Sequence, residues 1–461
     1  MIIDRSLFRA YDIRGNAETL LTEAVVRRIG QAFAMIALDA GVSELVVARD
    51  GRLSGPRLQG ALMQGLEEGG MQVIDAGELP SPLLYFAALT QTQGTGIIVS
   101  ASHNPAQDNG LKLMLQGETW TGEQIYAVIA SERERSVMGS NPVSHANARN
   151  DDIVKLYLEQ LCQDICFDRP LTVVVDGGHS VGGPILVQAL TRLGASVVPL
   201  YCEVDGHFPA HDPDPSRPEN LKSLQETVLR LGADLGIALD GDGDRLGVVD
   251  HEGVILWPDQ LMMLFAEAIL AKSPAATILY DVKCSRHLAE KVRTLGGTPV
   301  ICRTGHSFMK AKIKETRAAF AGEMSGHLFF ADRWFGFDDG IYAACRLIEL
   351  LSQRSSSLSD WRMQLPLSVA TSELSIAVKE GAQFHIVEQF VKNAHFPTAE
   401  LITVDGLRIE RADGWALVRS SNTAAHLILR FEAETQAALK QLQTQVKEQL
   451  LHISPDLLFS F

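Results

Sequence analysis

TGIIVSASHNP, residues 95–105, decides how the chain is organised. Gly96-Ile97-Ile98-Val99 is a short, β-branched apolar run of the kind buried on both faces of a sheet. It stops at small and polar residues and then at Asn104-Pro105, a turn signal. Ser102 is therefore expected on a loop just past the carboxyl end of a buried strand, which is where open α/β sheets bind ligands. A lone serine in a turn usually satisfies only local backbone groups, so its meaning depends on what the other loops carry.

Outward from this stretch, one unit recurs three times. Residues 44–50 (ELVVARD) read as a buried strand, followed by a helix ending in Glu68-Gly69-Gly70, a strand at 72–75 and the strand entering Ser102. The order returns at 172–176, a helix ending at Leu193-Gly194, 196–200, and 235–239 entering DGDGDR at 240–245. It returns again at 277–282, a helix ending at Leu295-Gly296-Gly297, 299–302, and 318–321 entering GEMSGH at 322–327. Glycine at each helix end suits a left-handed C′ position. Strands alternating with helices predict mostly parallel strands, and the repetition argues for a built-in pattern.

Polar residues 141–151 and serine-rich residues 353–360 read as linkers. Residues 246–257 read as a β-hairpin, and 209–218 (PAHDPDPSRP) as a proline-rich surface loop. From about residue 361 the pattern breaks, with strands near 373–378, 401–404 and 427–431 and a terminal helix at 434–450. The expected fold class is α/β, with three similar mixed-sheet α/β domains, 1–148, 149–252 and 253–360. A smaller C-terminal α+β domain, 361–461, is expected to join them around a central cleft.

Composition narrows the function. At 461 residues the chain exceeds a single core. A net charge of −15 argues against nucleic acid or an anionic membrane as partner, but not against a small anion held by local basic groups. The amino terminus has no long apolar core, so no signal peptide is expected. The most apolar helical run, 261–271, is too short to span a bilayer. Six cysteines lack zinc-type pairing, and Cys162 and Cys166 are spaced as on one helix face. Reduced, mostly buried thiols and a cytoplasmic location are expected.

The loops carry the chemistry. Asp240, Asp242 and Asp244 place three carboxylates within five residues, which repel unless a cation pairs them. Oxygen ligands suit Mg²⁺. An EF-hand is excluded, because its sixth position would be Arg245 and its twelfth His251. Glu323, Ser325 and His327 alternate, and in a near-extended loop they would face one way, a carboxylate and a hydroxyl gripping vicinal sugar hydroxyls. Arg419-Ser420-Ser421-Asn422-Thr423 offers a guanidinium, hydroxyls and backbone N–H groups, a phosphate cradle. Arg14, Lys112, Lys283 and His306 supply further basic groups, each an ordinary surface residue if taken singly.

SASHNP, DGDGDR, GEMSGH and RSSNT, in this order and near these spacings, resemble the α-D-phosphohexomutase family. YDIRG, VDGHFPAHDPDPSRPENL, DVKCSR, TGHSFMK and RWFGFDDGIY fit its pattern too. The chain departs from it in DGGHS at 176–180 and at Ser100-Ala101. The resemblance implies a phosphorylated Ser102, with Asp240, Asp242 and Asp244 holding Mg²⁺ together with an oxygen of the phosphoserine. It implies that Glu323 and Ser325 bind the sugar 3- and 4-hydroxyls, with His327 and His306 lining the cleft. Arg419, Ser421, Asn422 and Thr423, helped by Tyr11 and Lys283, would hold the phosphate that is not reacting. Arg14, His103, Lys112 and Arg245 would surround the phosphoryl group in transfer, with Lys112 or His103 moving the proton. The implied reaction is reversible phosphoryl transfer between positions 1 and 6 of mannose and glucose phosphates, with a hexose 1,6-bisphosphate as intermediate and activator. The implied partners are small sugar phosphates, and the implied state is a monomer. The alternatives are a glucosamine-phosphate mutase, which His327 disfavours, a metal-dependent sugar phosphatase, and a non-catalytic sugar-phosphate binder.

Overall fold

The computed structural model describes residues 3–9, 12–131, 150–421, 425–459 and 461. In the first unit, strand Glu44–Arg49 pairs in parallel with Gln72–Glu78 on one side and with Gly96–Val99 on the other. The second unit repeats this around Thr172–Asp176, flanked by Ser196–Leu200 and Leu235–Leu239. The third does so around Thr277–Asp281, flanked by Thr298–Cys302 and Phe320–Gly322. Gly70, Gly194 and Gly296, one at the end of the first helix of each unit, take φ of +96°, +91° and +84°. That left-handed turn drops the chain into the next strand without a Cβ clash.

The sheets of these three units are mixed, and one antiparallel pairing recurs in each. After each motif loop the chain turns back and pairs antiparallel with the strand it has just left: Asp108–Leu115 on Gly96–Val99, Leu246–Asp250 on Leu235–Leu239, Leu328–Phe330 on Phe320–Gly322. The serine, carboxylate and glutamate loops are thus equivalent hairpin tips at the carboxyl ends of equivalent strands.

The inner faces of the three sheets share one apolar core. Leu83, Leu84 and Phe86 of helix Ser81–Gln91 join Val173 and Ile237, Phe320 and Phe330, and Leu347 of helix Gly340–Ser352. The last unit keeps a separate core, in which helices Ala382–Asn393 and Gln436–Ile453 cover one face of an antiparallel sheet. Its other face docks on the third unit through Trp415 and Leu417 against Val282.

Several expectations need correction. Residues 353–360 are not an open linker. Ser357 caps helix Leu358–Arg362 in a capping box with Asp360. Leu358 and Trp361 lie in the shared core, and Arg362 pairs with Asp250 and Glu252. The connection to the last unit therefore falls just beyond, around Met363 and Leu367, both exposed. Helix Asn150–Asp164 ends before Cys166, so Cys162 and Cys166 share no helix face. All six cysteines are free, and Cys284, Cys302 and Cys345 are the buried ones. Loop 209–218 is more than a surface connection, because Asp214, Pro215, Ser216, Arg217 and Pro218 line the central cleft. Among the described residues no helix is long and apolar enough to cross a membrane.

Candidate active site

Ser102 follows strand Gly96–Val99 with a left-handed φ of +52°, an uncommon conformation for a residue with a side chain. Its Oγ donates to Asp240 Oδ2 at 2.6 Å and lies 3.2 Å from His103 Nδ1. The carboxylate loop meets it from the second unit at the closest possible approach. A Cβ on Gly241 would lie 2.0 Å from the Ser102 carbonyl oxygen, so only glycine fits there. Arg14, on strand Ile13–Asn16, pairs with Asp12 at 2.6 Å and donates to the Ala101 carbonyl and to Asn104 Oδ1.

Asp240, Asp242 and Asp244 are fully buried below the cleft floor, and their ligand atoms lie within 4.8 Å of one another. Asp240 Oδ1 accepts the backbone N–H groups of Asp244 and Arg245, which curls the loop and aims its side chains inward. Lys112 pairs with Asp242 at 2.6 Å and Asp244 at 2.5 Å, and Ser81 Oγ also donates to Asp242. Burial, then the Asp244 and Asp242 charges, pushes Asp240 up to about 8. Against the pull of burial, Lys112 holds Asp242 below the usual carboxylate range. The two carboxylates likewise raise Lys112 well above the ordinary lysine value, so it is an ammonium. Asp242 Oδ1 and Asp244 Oδ1 are buried without a hydrogen-bond partner. A set of hard oxygen donors with orphaned lone pairs and excess negative charge fits a divalent cation.

The glutamate loop is a tight turn, not the near-extended segment expected. Glu323 N–H donates to the His327 carbonyl at 2.9 Å, Gly326 N–H to the Glu323 carbonyl at 3.0 Å, and Gly326 takes φ of +97°. Glu323 and Ser325 therefore sit together, Ser325 Oγ donating to Glu323 Oε2 at 3.0 Å and Gly305 N–H to Oε1 at 2.9 Å. Burial raises Glu323. His327 turns elsewhere. Its Nε2 accepts from Arg245 Nε at 3.0 Å. Arginine can only donate, so the imidazole proton sits on Nδ1, facing Asp338 at 3.1 Å and Asp244 at 3.5 Å. Those three residues have the spacing of a second ligand set, but a protonated Nδ1 cannot bind a metal. Burial, helped by Lys310, holds His306 well below the ordinary histidine value.

Lys283 reaches the cleft from the end of strand Thr277–Asp281 and pairs with Glu373 of the last unit at 3.1 Å. Arg419, on strand Gly414–Ser420, is braced by Asp405 at 2.9 Å.

One cleft of about 860 Å³ gathers Arg14, Ser102, His103, Lys112, Arg245, Lys283, His306, Glu323, Ser325, His327, Arg419 and Ser421. The aspartate triplet contributes nothing to its wall and lies buried beneath it. Tyr11, Asn422 and Thr423 lie outside the described residues. Arg52, Ser81, Asp338, Glu373 and Arg430 were missed in the sequence. Asp338 stands inside RWFGFDDGIY, but neither it nor Arg52 is singled out by the sequence, although Arg52 is 1% and Asp338 0% exposed.

Comparison with known proteins agrees along the chain. Models of phosphoglucomutase/phosphomannomutase alpha/beta/alpha domains I, II and III match residues 5–136, 155–253 and 257–368. The C-terminal domain model of the same family matches 373–449. A phosphomannomutase/phosphoglucomutase of Pseudomonas aeruginosa is 46% identical over 98% of this chain and 97% of its own. A phosphoglucomutase of Neisseria gonorrhoeae is 43% identical over 96% of each. The crystal structure of a phosphoglucomutase/phosphomannomutase family protein from Burkholderia thailandensis superposes with a TM-score of 0.91 at 43% identity, covering 100% of both chains. Three equivalent hairpin tips and a fourth loop meet in one cleft, and the likeness runs the length of the sequence, so the chain belongs to the phosphoglucomutase/phosphomannomutase family.

Proposed function

We propose that the chain moves a phosphoryl group reversibly between positions 1 and 6 of glucose phosphate and mannose phosphate, with Ser102 as the carrier. The observation that carries this reading is the place of Ser102, on the floor of one cleft lined by loops from all four units. A sugar hydroxyl attacks the phosphorus of phospho-Ser102. The bond to the serine oxygen breaks; the proton of the attacking hydroxyl passes by way of His103 to that oxygen, 3.2 Å from His103 Nδ1, so that Ser102 is left as the free hydroxyl. The hexose 1,6-bisphosphate so formed turns end for end, and Ser102 takes the other phosphoryl group by the reverse step. Such transfer is chiefly positioning and charge neutralisation. Arg14, Arg245 and Lys112 supply fixed positive charge. Asp240, Asp242 and Asp244, with Ser102, would hold Mg²⁺, which when bound offsets charge on the phosphoryl oxygens. Glu323 and Ser325, set side by side, grip the 3- and 4-hydroxyls, which leaves position 2 unread and admits both epimers. Arg419, Ser421 and Lys283, with Asn422, Thr423 and Tyr11, hold the distal phosphate. One chain supplies every described loop, so the proposed working unit is the monomer.

The test is a coupled assay of glucose 1-phosphate and mannose 1-phosphate side by side, with and without a trace of glucose 1,6-bisphosphate. Both sugars should yield the 6-phosphate, faster with the bisphosphate, without release of inorganic phosphate. Stoichiometric inorganic phosphate would instead identify a phosphatase, and turnover of glucosamine phosphate alone an amino-sugar mutase.

A further inference from the structure

We infer that Arg52 and Asp50 are positioning residues that hold Ser102 in its transferring conformation. The inference rests on the reading of Ser102 as the phosphoryl carrier. Arg52 follows strand Glu44–Arg49 and its side chain is fully buried beneath the serine loop. A guanidinium has five N–H donors, and each one here has an acceptor. Nη2 donates to the Ser102 carbonyl at 2.7 Å and the Asn104 carbonyl at 2.6 Å. Nη1 donates to the Pro105 carbonyl at 2.6 Å and the Asp108 carbonyl at 3.0 Å. Nε donates to Asp50 Oδ2 at 3.1 Å. Four of the five thus fix carbonyls between residues 102 and 108.

Asp50 completes the device from the other side. Its Oδ2 accepts Ser100 Oγ–H at 2.7 Å, and Ser100 Oγ in turn accepts Ser102 N–H at 2.9 Å. Both backbone polar groups of Ser102 are thereby tied to one buried ion pair, the carbonyl directly and the N–H through Ser100. This accounts for a left-handed φ at a serine that has no glycine's freedom. The Phe208 ring lies 5.3 Å from the Arg52 guanidinium carbon, so the second unit also braces the clamp. Neither Arg52 nor Asp50 lines the cleft. They act on the reaction only through the loop.

The experiment measures the rate at which Ser102 accepts phosphoryl from glucose 1,6-bisphosphate, by peptide mass, together with kcat, KM and thermal unfolding. The full-length parent, R52K and S100A proteins are compared. R52K keeps the charge and loses the fork; S100A removes only the link to Ser102 N–H. R52K should lower the loading rate and kcat by about 10²-fold with KM within threefold, as expected when a reacting group is misplaced by about an ångström. S100A should lower both by about tenfold. A folded R52K with loading and kcat within twofold of the parent overturns the inference. Losses that scale with a fall in unfolding temperature and raise KM equally overturn it too. Should R52K not fold, S100A decides alone on the same criteria. If the parent itself takes no phosphoryl group, the reading of Ser102 has failed rather than the clamp.

Discussion

At the scale of single residues, the proposed chemistry rests on Ser102 and Lys112. Ser102→Ala removes the hydroxyl proposed to carry the phosphoryl group, and turnover should fall by at least about 10³-fold in the coupled assay. Lys112 is the fixed cation between two buried carboxylates. Lys112→Met should cost about 10²–10³-fold in kcat, whereas Lys112→Arg keeps the charge and should recover part of that loss. Equal activity in all three proteins would remove Lys112 from the mechanism. Ser102 and the aspartate triplet were legible in the sequence because each follows an apolar strand and ends in a turn. Arg52 and Asp338 were not, because burial of a charged residue is set by partners distant in sequence. Arg52 bonds carbonyls fifty or more positions away. The turn that parts His327 from Glu323 escaped notice because alternate spacing implies a common direction only in extended backbone.

Among the elements, the hairpin tips explain why the repeat was readable: each motif sits at a strand end that apolar patterning marks by itself. Loop 209–218 was misread because proline-rich segments usually skirt the surface. Here His211 ties it back to Asp176 at 3.1 Å. Burial opposes protonation of His211, but the hydrogen bond and charge of Asp176 outweigh it and raise its pKa above 6.5. A histidine with a raised folded-state pKa contributes stability that is complete below its unfolded value, about 6.5, and lost as pH rises through the folded one. The difference in unfolding temperature between the parent and His211→Gln should therefore be largest below pH 6.5 and shrink above it. A difference that grows with pH would reverse the assignment. The serine-rich segment was misread for a related reason: Ser357 there is a helix cap, and composition alone does not separate caps from linkers.

In the whole molecule, three units are fused by one apolar core while the fourth keeps its own. That arrangement suits the proposed reaction, in which a bisphosphate turns over within the cleft: loosening of the fourth unit would leave the other three together. Its docking face depends on Trp415, fully buried with the Arg408 guanidinium 3.8 Å from its ring centre. Arg408 also donates to the Val282 and Cys284 carbonyls of the third unit. Trp415→Ala should destabilise this contact by about 3–5 kcal/mol, read as an early unfolding transition of the last unit together with a raised KM. An unchanged single transition would contradict the division into cores. Chelation should abolish turnover and added Mg²⁺ restore it if the aspartate triplet holds the ion. The most direct test is to charge the protein with glucose 1,6-bisphosphate and follow the Ser102 peptide by mass as glucose 1-phosphate is added. The account predicts one phosphoryl group on Ser102, discharged as the 6-phosphate appears. A peptide that never gains it, or a group lost only as inorganic phosphate, would contradict it.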